Sequence, residues 1–180
     1  MMCYKPKSLS SLWVPHLFIN GKNIDFVKEH KYLDIILQDN LNDECDMKRH
    51  VKSIYSRGNM LISRFKQCSN NVKNYLFKAY CSNVYGGQLW ANYRKPMCNK
   101  VKVAYNDIYR GLFNIQRGES ISAIFVSNHI DPFCTVLRKL VYSFKCRLEA
   151  SANNLIKAVI NAPNFVNCKL YSEWQKLLYL

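Results

Sequence analysis

The run Asn71-Val72-Lys73-Asn74-Tyr75-Leu76-Phe77-Lys78-Ala79-Tyr80-Cys81-Ser82-Asn83-Val84-Tyr85-Gly86-Gly87-Gln88-Leu89-Trp90 decides how the chain is read. Its first half has the period of an amphipathic helix. Val72, Tyr75, Leu76, Ala79 and Tyr80 recur on one side, and Lys73 and Lys78 take the other. The pattern then meets Tyr85-Gly86-Gly87 and ends on Leu89 and Trp90, two large apolar anchors. It predicts an apolar block with a basic flank, against which the neighbouring segments pack.

Upstream, from about Asp43 to Lys66, Met47, Val51, Ile54, Tyr55, Leu61, Ile62 and Phe65 recur at helical spacing. Lys48, Arg49, Lys52, Arg57, Arg64 and Lys66 occupy the other half of that wheel. Asp43, Glu44 and Asp46 sit at its start, where the helix macrodipole favours acids. Further upstream, Leu17-Phe18-Ile19, Asn20-Gly21 and Ile24 to Val27 read as a β-hairpin, because Asn-Gly suits the two positive-φ positions of a type I′ turn. Lys31 to Leu37 reads as a further strand, giving a small antiparallel sheet of two or three strands that must lean on something else. An unpaired edge there would favour self-association. Residues 1–16, broken by Pro6 and Pro15, read as a loop.

Downstream, Arg94-Lys95-Pro96 starts a helix with the stripe Met97, Val101, Ala104, Tyr105, Ile108 and Leu112, and with Lys100, Lys102 and Arg110 as its charge. Ser120 to Val126 is a short helix. Asp131-Pro132 reads as an N-cap with proline at the first helical position, opening a stripe of Phe133, Val136, Leu137, Leu140, Val141, Phe144 and Leu148. Asn153 to Ile160 and Cys168 to Leu180 are two further helices, the last one a candidate partner-binding helix through Trp174 and Leu178. The fold class is therefore mainly α, a helical bundle with a small N-terminal antiparallel β-hairpin. The boundaries fall at 1–42, 43–115 and 116–180.

Charge narrows the class of partner. The 180 residues carry a net charge of +14. Residues 1–46 hold five Lys/Arg against seven Asp/Glu, and residues 47–180 hold twenty-one against five. Between Met47 and Asn106 there are twelve basic residues and no acid. One-signed charge over so long a stretch suggests a polyanionic partner, although a basic face can also be merely solvated. The candidate contacts are Lys48, Arg49, Lys52, Lys66, Lys73, Lys78, Arg94, Lys95, Lys100 and Lys102, with Tyr93 beside Arg94-Lys95 and Tyr109 beside Arg110 as candidate aromatics. Most other aromatics fall on helix stripes and read as core.

Several chemistries find no support in the pattern. The eight cysteines show no Cys-x-x-Cys and no paired Cys/His spacing, so neither a zinc knuckle nor a disulfide framework is indicated. No histidine has a Ser or Cys partner in a nucleophile motif, and Gly86-Gly87 precedes Gln-Leu-Trp rather than the Lys-Ser/Thr of a phosphate loop. Seven of the twelve acids lie between Asp25 and Asp46, but Asp43, Glu44 and Asp46 suit a helix start better than a metal site. No run reaches the ~18 to 20 apolar residues of a membrane span, and the N-terminus lacks the apolar core of a signal peptide. An intracellular protein with reduced thiols, nuclear or cytoplasmic and not secreted, is expected. The pattern does not fix its oligomeric state.

In this order the motifs resemble the C-terminal part of reverse transcriptases from non-LTR, LINE-type retrotransposons. The residues that carry the resemblance are Lys31-Tyr32-Leu33-Asp34, then Val72-Lys73-Asn74-Tyr75-Leu76-Phe77-Lys78-Ala79-Tyr80-Cys81, then Tyr85-Gly86-Gly87-Gln88-Leu89-Trp90. Ala104 to Arg110 and Phe144 to Asn153 are similar to the region beyond the thumb in such elements, so the likeness covers roughly residues 17–160. It implies that Tyr32, Leu33 and Asp34 stand at a primer grip, where the family has Tyr-Leu-Gly. It also implies that a basic helical thumb holds RNA or an RNA–DNA primer–template by its backbone. The family's metal-binding Asp-Asp pair lies upstream of the primer grip and occurs nowhere in this chain, so Mg2+ would belong to a palm this chain lacks, and polymerisation by this chain alone is not expected. Asp34 in place of glycine would repel a passing phosphate. The reading from the residues alone also leaves open a helical scaffold or interaction protein, or an inactive gene remnant, with no nucleic-acid affinity.

Overall fold

A computed structural model describes residues 17–179. The expectation for residues 1–16 lies outside them. In chain order the elements are β1 (Leu17–Ile19), β2 (Lys22–Ile24), β3 (Glu29–Tyr32), β4 (Ile35–Gln38), α1 (Glu44–Phe65), α2 (Asn70–Tyr80), a 3₁₀ turn at Gly87–Leu89, α3 (Lys95–Phe113), α4 (Ile121–Ser127), α5 (Phe133–Glu149), α6 (Asn154–Ile160) and α7 (Lys169–Tyr179). The chain is mainly α, with two small hairpins at its N-terminal side. No helix among the described residues is long and apolar enough to cross a membrane.

β1 and β2 pair antiparallel around Asn20 (φ 49) and Gly21 (φ 75), the two left-handed positions that Asn-Gly accommodates. The run Lys31 to Leu37 is not one strand. It folds back on itself at Leu33 (φ 46) and Asp34 (φ 63), so that Tyr32 pairs with Ile35 and Glu29 with Gln38. The two hairpins do not share a sheet. A leucine in the left-handed region costs roughly 1–2 kcal/mol, and the Leu33-Asp34 pair gives none of the Asn-Gly signal, which is why the turn is hidden in the sequence.

The body of the molecule is α1 against α3, the largest helix pairing. Two glycines set their approach. A Cβ on Gly58 of α1 would collide with the side chain of Ile108 on α3, and one on Gly111 of α3 would come within 2.9 Å of Ile62 Cδ1 on α1. Each helix thus offers the other an isoleucine knob and a glycine hole. The contacts Tyr55–Asp107, Gly58–Ile108 and Ile62–Gly111 advance together, so the two helices run in the same direction, with α2 in the connection between them.

α2 is rotated from its expected position. Its buried residue is Phe77, with Cys81 buried just beyond the helix, while Tyr75 is 74% exposed and Val72 44%. Phe77 stands edge-on to Tyr105 and Tyr109, at ring centroid distances of 4.9 Å each. Asn74 accompanies it inward, accepting from Tyr109 Oη at 2.9 Å and donating to Asn128 Oδ1 at 3.2 Å. One core joins Met47, Ile54 and Leu61 of α1, Phe77, the α3 stripe, Phe125 of α4, and Phe133 and Leu137 of α5. It draws on residues from both sides of residue 115.

The helix ends follow local chemistry. Ser120 Oγ accepts from Ala123 N at the start of α4, and Asn153 Oδ1 accepts from Leu155 N at the start of α6. α4 closes in a Schellman turn, in which Ile130 N donates to Phe125 O and His129 N to Val126 O. His129 (φ 51) takes the left-handed place where glycine is usual. α5 begins one residue later than expected. Pro132 is its N-cap, and the Asp131 carboxylate, rather than capping the helix, takes Lys139 Nζ at 2.6 Å. α7 is not a free partner-binding helix: Trp174 is buried, donates to Gln88 O at 3.0 Å and stands edge-on to Phe144, and Leu178 is half-buried.

Candidate nucleic-acid interface

The three acids at the start of α1 are tied to the segment that precedes α3. Asp43 Oδ2 accepts from Ala91 N at 2.8 Å and Asn92 N at 2.7 Å. Glu44 takes the Arg94 guanidinium through two bonds of 2.7 and 3.0 Å. Asp46 is 1% exposed and accepts from Trp90 Nε1 at 2.9 Å, Ile36 N at 3.0 Å and Arg49 Nε at 2.8 Å. That one carboxylate joins β4, α1 and the Trp90 anchor. Gly86 (φ 82) makes the join possible, since its missing Cβ would meet Ile35 Cγ1 at 3.2 Å. Burial raises the Asp43 carboxyl, against the opposing pull of the two backbone donors. The Arg94 hydrogen bonds hold Glu44 down at about 2. These are structural roles for acids that the sequence could otherwise offer to a metal.

The same joint commits two basic candidates to acid partners, although the Arg94 side chain stays exposed. Arg49 and Arg94 are both held in ion pairs, with Asp46 and Glu44. Lys73 is half-buried, with its Nζ 5.8 Å from the centroid of the Phe113 ring, so it lies on the core side of α2 rather than on a basic flank. Tyr109 is fully buried and Tyr93 half-buried, its hydroxyl pushed up to about 12 by burial, so neither offers an open stacking face.

Helical spacing puts four lysines on one flank of the α1–α3 pair. At about 100° per residue, Lys48 and Lys52 of α1 and Lys66 at its C-cap fall within about 40° of one another, along about 27 Å. Tyr55 lies on the same side and donates to Asp107 Oδ2 of α3 at 3.2 Å. Lys100 stands two turns before Asp107 on that side of α3. All four lysines are exposed, and none is in an ion pair among the described residues. Asp107 is the carboxylate on this flank. Lys95 and Lys102 instead line a cleft with Cys98 and Cys134, and Lys78 lines another with Ser82, His129, Asp131 and Lys139.

Tyr32 and Leu33 form the tip of the β3–β4 hairpin, 59% and 67% exposed, and Lys31 Nζ meets Asp34 Oδ1 at 2.6 Å beside them. The hydrogen bond from Lys31, then its charge, lowers the Asp34 carboxyl, with Arg49 adding at longer range. Asp34, at φ 63, occupies a backbone position that glycine would take without strain.

Buried polar atoms gave no sequence signal. His50 is 1% exposed, edge-on to Trp90 at 5.6 Å, and its Nε2 has no hydrogen-bond partner among the described residues. Burial, followed by the charges of Arg57 and Arg49, lowers the imidazole to about 4, so it is neutral at pH 7. Comparison with known proteins adds nothing to this geometry: no family model, curated protein or solved structure matches the chain.

Proposed function

We propose that this chain grips a primer–template, an RNA or RNA–DNA duplex, by its phosphate backbone, as the thumb portion of a LINE-type reverse transcriptase. The observation that carries the reading is the flank of Lys48, Lys52, Lys66 and Lys100 on α1 and α3, open and without ion-pair partners among the described residues. The acid-free run from Met47 to Asn106 and the order of the motifs support it. Binding of this kind is sequence-independent and releases counterions, so affinity should fall steeply with salt. The chain contains no Asp-Asp pair, and catalysis is not part of the proposal. Its setting would be the nucleus or cytoplasm.

The test is a filter-binding titration of the full chain on an RNA–DNA hybrid across a salt series. Replacing Lys48, Lys52 or Lys66 with Ala should reduce the salt slope by about 1 for each phosphate that is no longer neutralised. Replacing Lys157 of α6, a helix that packs against α5, should leave the slope unchanged. Affinity that is absent or indifferent to salt would sink the reading. A second reading, a helical scaffold without nucleic-acid affinity, draws on the pairing of Arg49 and Arg94 with acids and the contact of Lys73 with Phe113. It predicts that absent affinity.

A further inference from the structure

Cys98 and Cys134 are far apart in sequence but open onto the same cleft. It has a volume of about 570 Å³ and is lined by Lys95, Pro96, Cys98, Asn99, Lys102 and Cys134. Cys98 comes from the start of α3 and Cys134 from the start of α5. Both thiols are free; Cys134 is exposed and Cys98 half-buried. We propose that Cys98 and Cys134 form a dithiol site that a hydroperoxide oxidises to an intramolecular disulfide joining α3 to α5.

The two environments divide the labour. Cys134 is the thiol a small oxidant can reach. Its thiolate attacks the terminal oxygen of the peroxide, the O–O bond breaks, and the departing oxygen takes a proton to leave as water or an alcohol. Cys134 is then a sulfenic acid. The Cys98 thiolate attacks the Cys134 sulfur, the S–O bond breaks, and the hydroxide takes a proton to leave as water. Two thiols are oxidised by two electrons, and one peroxide is reduced. Lys95 and Lys102 line the same cleft as the two thiols. The proximity has a second sign: burial raises the Cys98 thiol, Cys134 raises it further, and Lys102 opposes both. Cys81, by contrast, is buried, with its thiol pushed up to about 11.

The proposal does not depend on nucleic-acid binding. The reduced full chain would be treated with hydrogen peroxide, alkylated, and digested without reductant for mass spectrometry. The expected product is a peptide pair linked through Cys98 and Cys134, reversed by dithiothreitol and accompanied by a higher Tm. Cys98→Ser should leave a Cys134 sulfenic acid that dimedone traps, and Cys134→Ser should abolish both products. Lys102→Ala should slow formation of the link several-fold. The idea is overturned if the linked pair does not form, if it forms equally in chain unfolded by urea, or if dimers through Cys134 or Cys146 take its place. The wild-type digest decides the matter even if Cys98→Ser fails to fold.

Discussion

The α1–α3 pair and the N-terminal hairpins treat their apolar side chains differently. On α1 and α3, Met47, Ile54, Leu61, Met97, Val101, Tyr105, Ile108 and Leu112 are buried, and even Asp46 and His50 lie inside. On the hairpins, Phe18, Ile19, Tyr32, Leu33 and Leu37 remain exposed. The second hairpin is fastened at its base, where Ile36 N meets Asp46 and Ile35 covers Gly86. Its tip and the whole first hairpin project from the body. Stability should therefore be uneven along the chain, with the strongest dependence on a few atoms at the α1 joint.

The largest effect is expected at Asp46. Asp46→Ala would leave Trp90 Nε1, Ile36 N and the Arg49 guanidinium without their acceptor, at a cost of about 3–5 kcal/mol. Urea unfolding measures it, and a loss under about 1 kcal/mol, the scale of an ordinary exposed ion pair, would erase the contrast with the hairpins. Acid comes next. With His50 at about 4 in the fold and about 6.5 when unfolded, the unfolded chain holds the extra proton between those values. Stability should therefore fall as pH drops through that window, by about 3 kcal/mol in all. His50→Leu should flatten the slope. The Glu44 contribution is lost lower, between about 4.5 and about 2.

Gly58→Ala should cost about 1–3 kcal/mol, because the new methyl group meets Ile108 where the two helices cross. An increase in Tm would show that the crossing can open without penalty. On the hairpins the expected changes are small. Leu33→Gly should be neutral or stabilising by up to about 1 kcal/mol, by relieving a left-handed leucine. Phe18→Ser should be close to neutral. Hydrogen exchange sharpens the contrast without mutation: amides of residues 18–24 should exchange far faster than those of Ile54 or Ile108.

How much could be read from the sequence depends on the range of the physics. The stripes of α1, α3 and α5 were legible because each is repeated over several turns, and the Asn20-Gly21 turn because its signal is two residues long. The face of α2 was not. Its apolar period points to Tyr75 and Val72, while the inward residues are Phe77, Asn74 and Lys73, whose partners Tyr109, Asn128 and Phe113 are dozens of residues away. The lysines were legible as charge but not as a surface. Whether a basic side chain is open or committed depends on distant acids, as Arg94 with Glu44 shows.

The parallel course of α1 and α3 also bears on how the chain is made. Tyr55 and its partner Asp107 are separated by 52 residues. At synthesis rates of about 5–20 residues per second, α1 would leave the ribosome roughly 3–10 seconds before the helix that covers it. During that interval Met47, Ile54 and Leu61 lack the α3, α4 and α5 side chains that share their core. The newly made first half of this chain is a candidate client for chaperones that hold apolar helices.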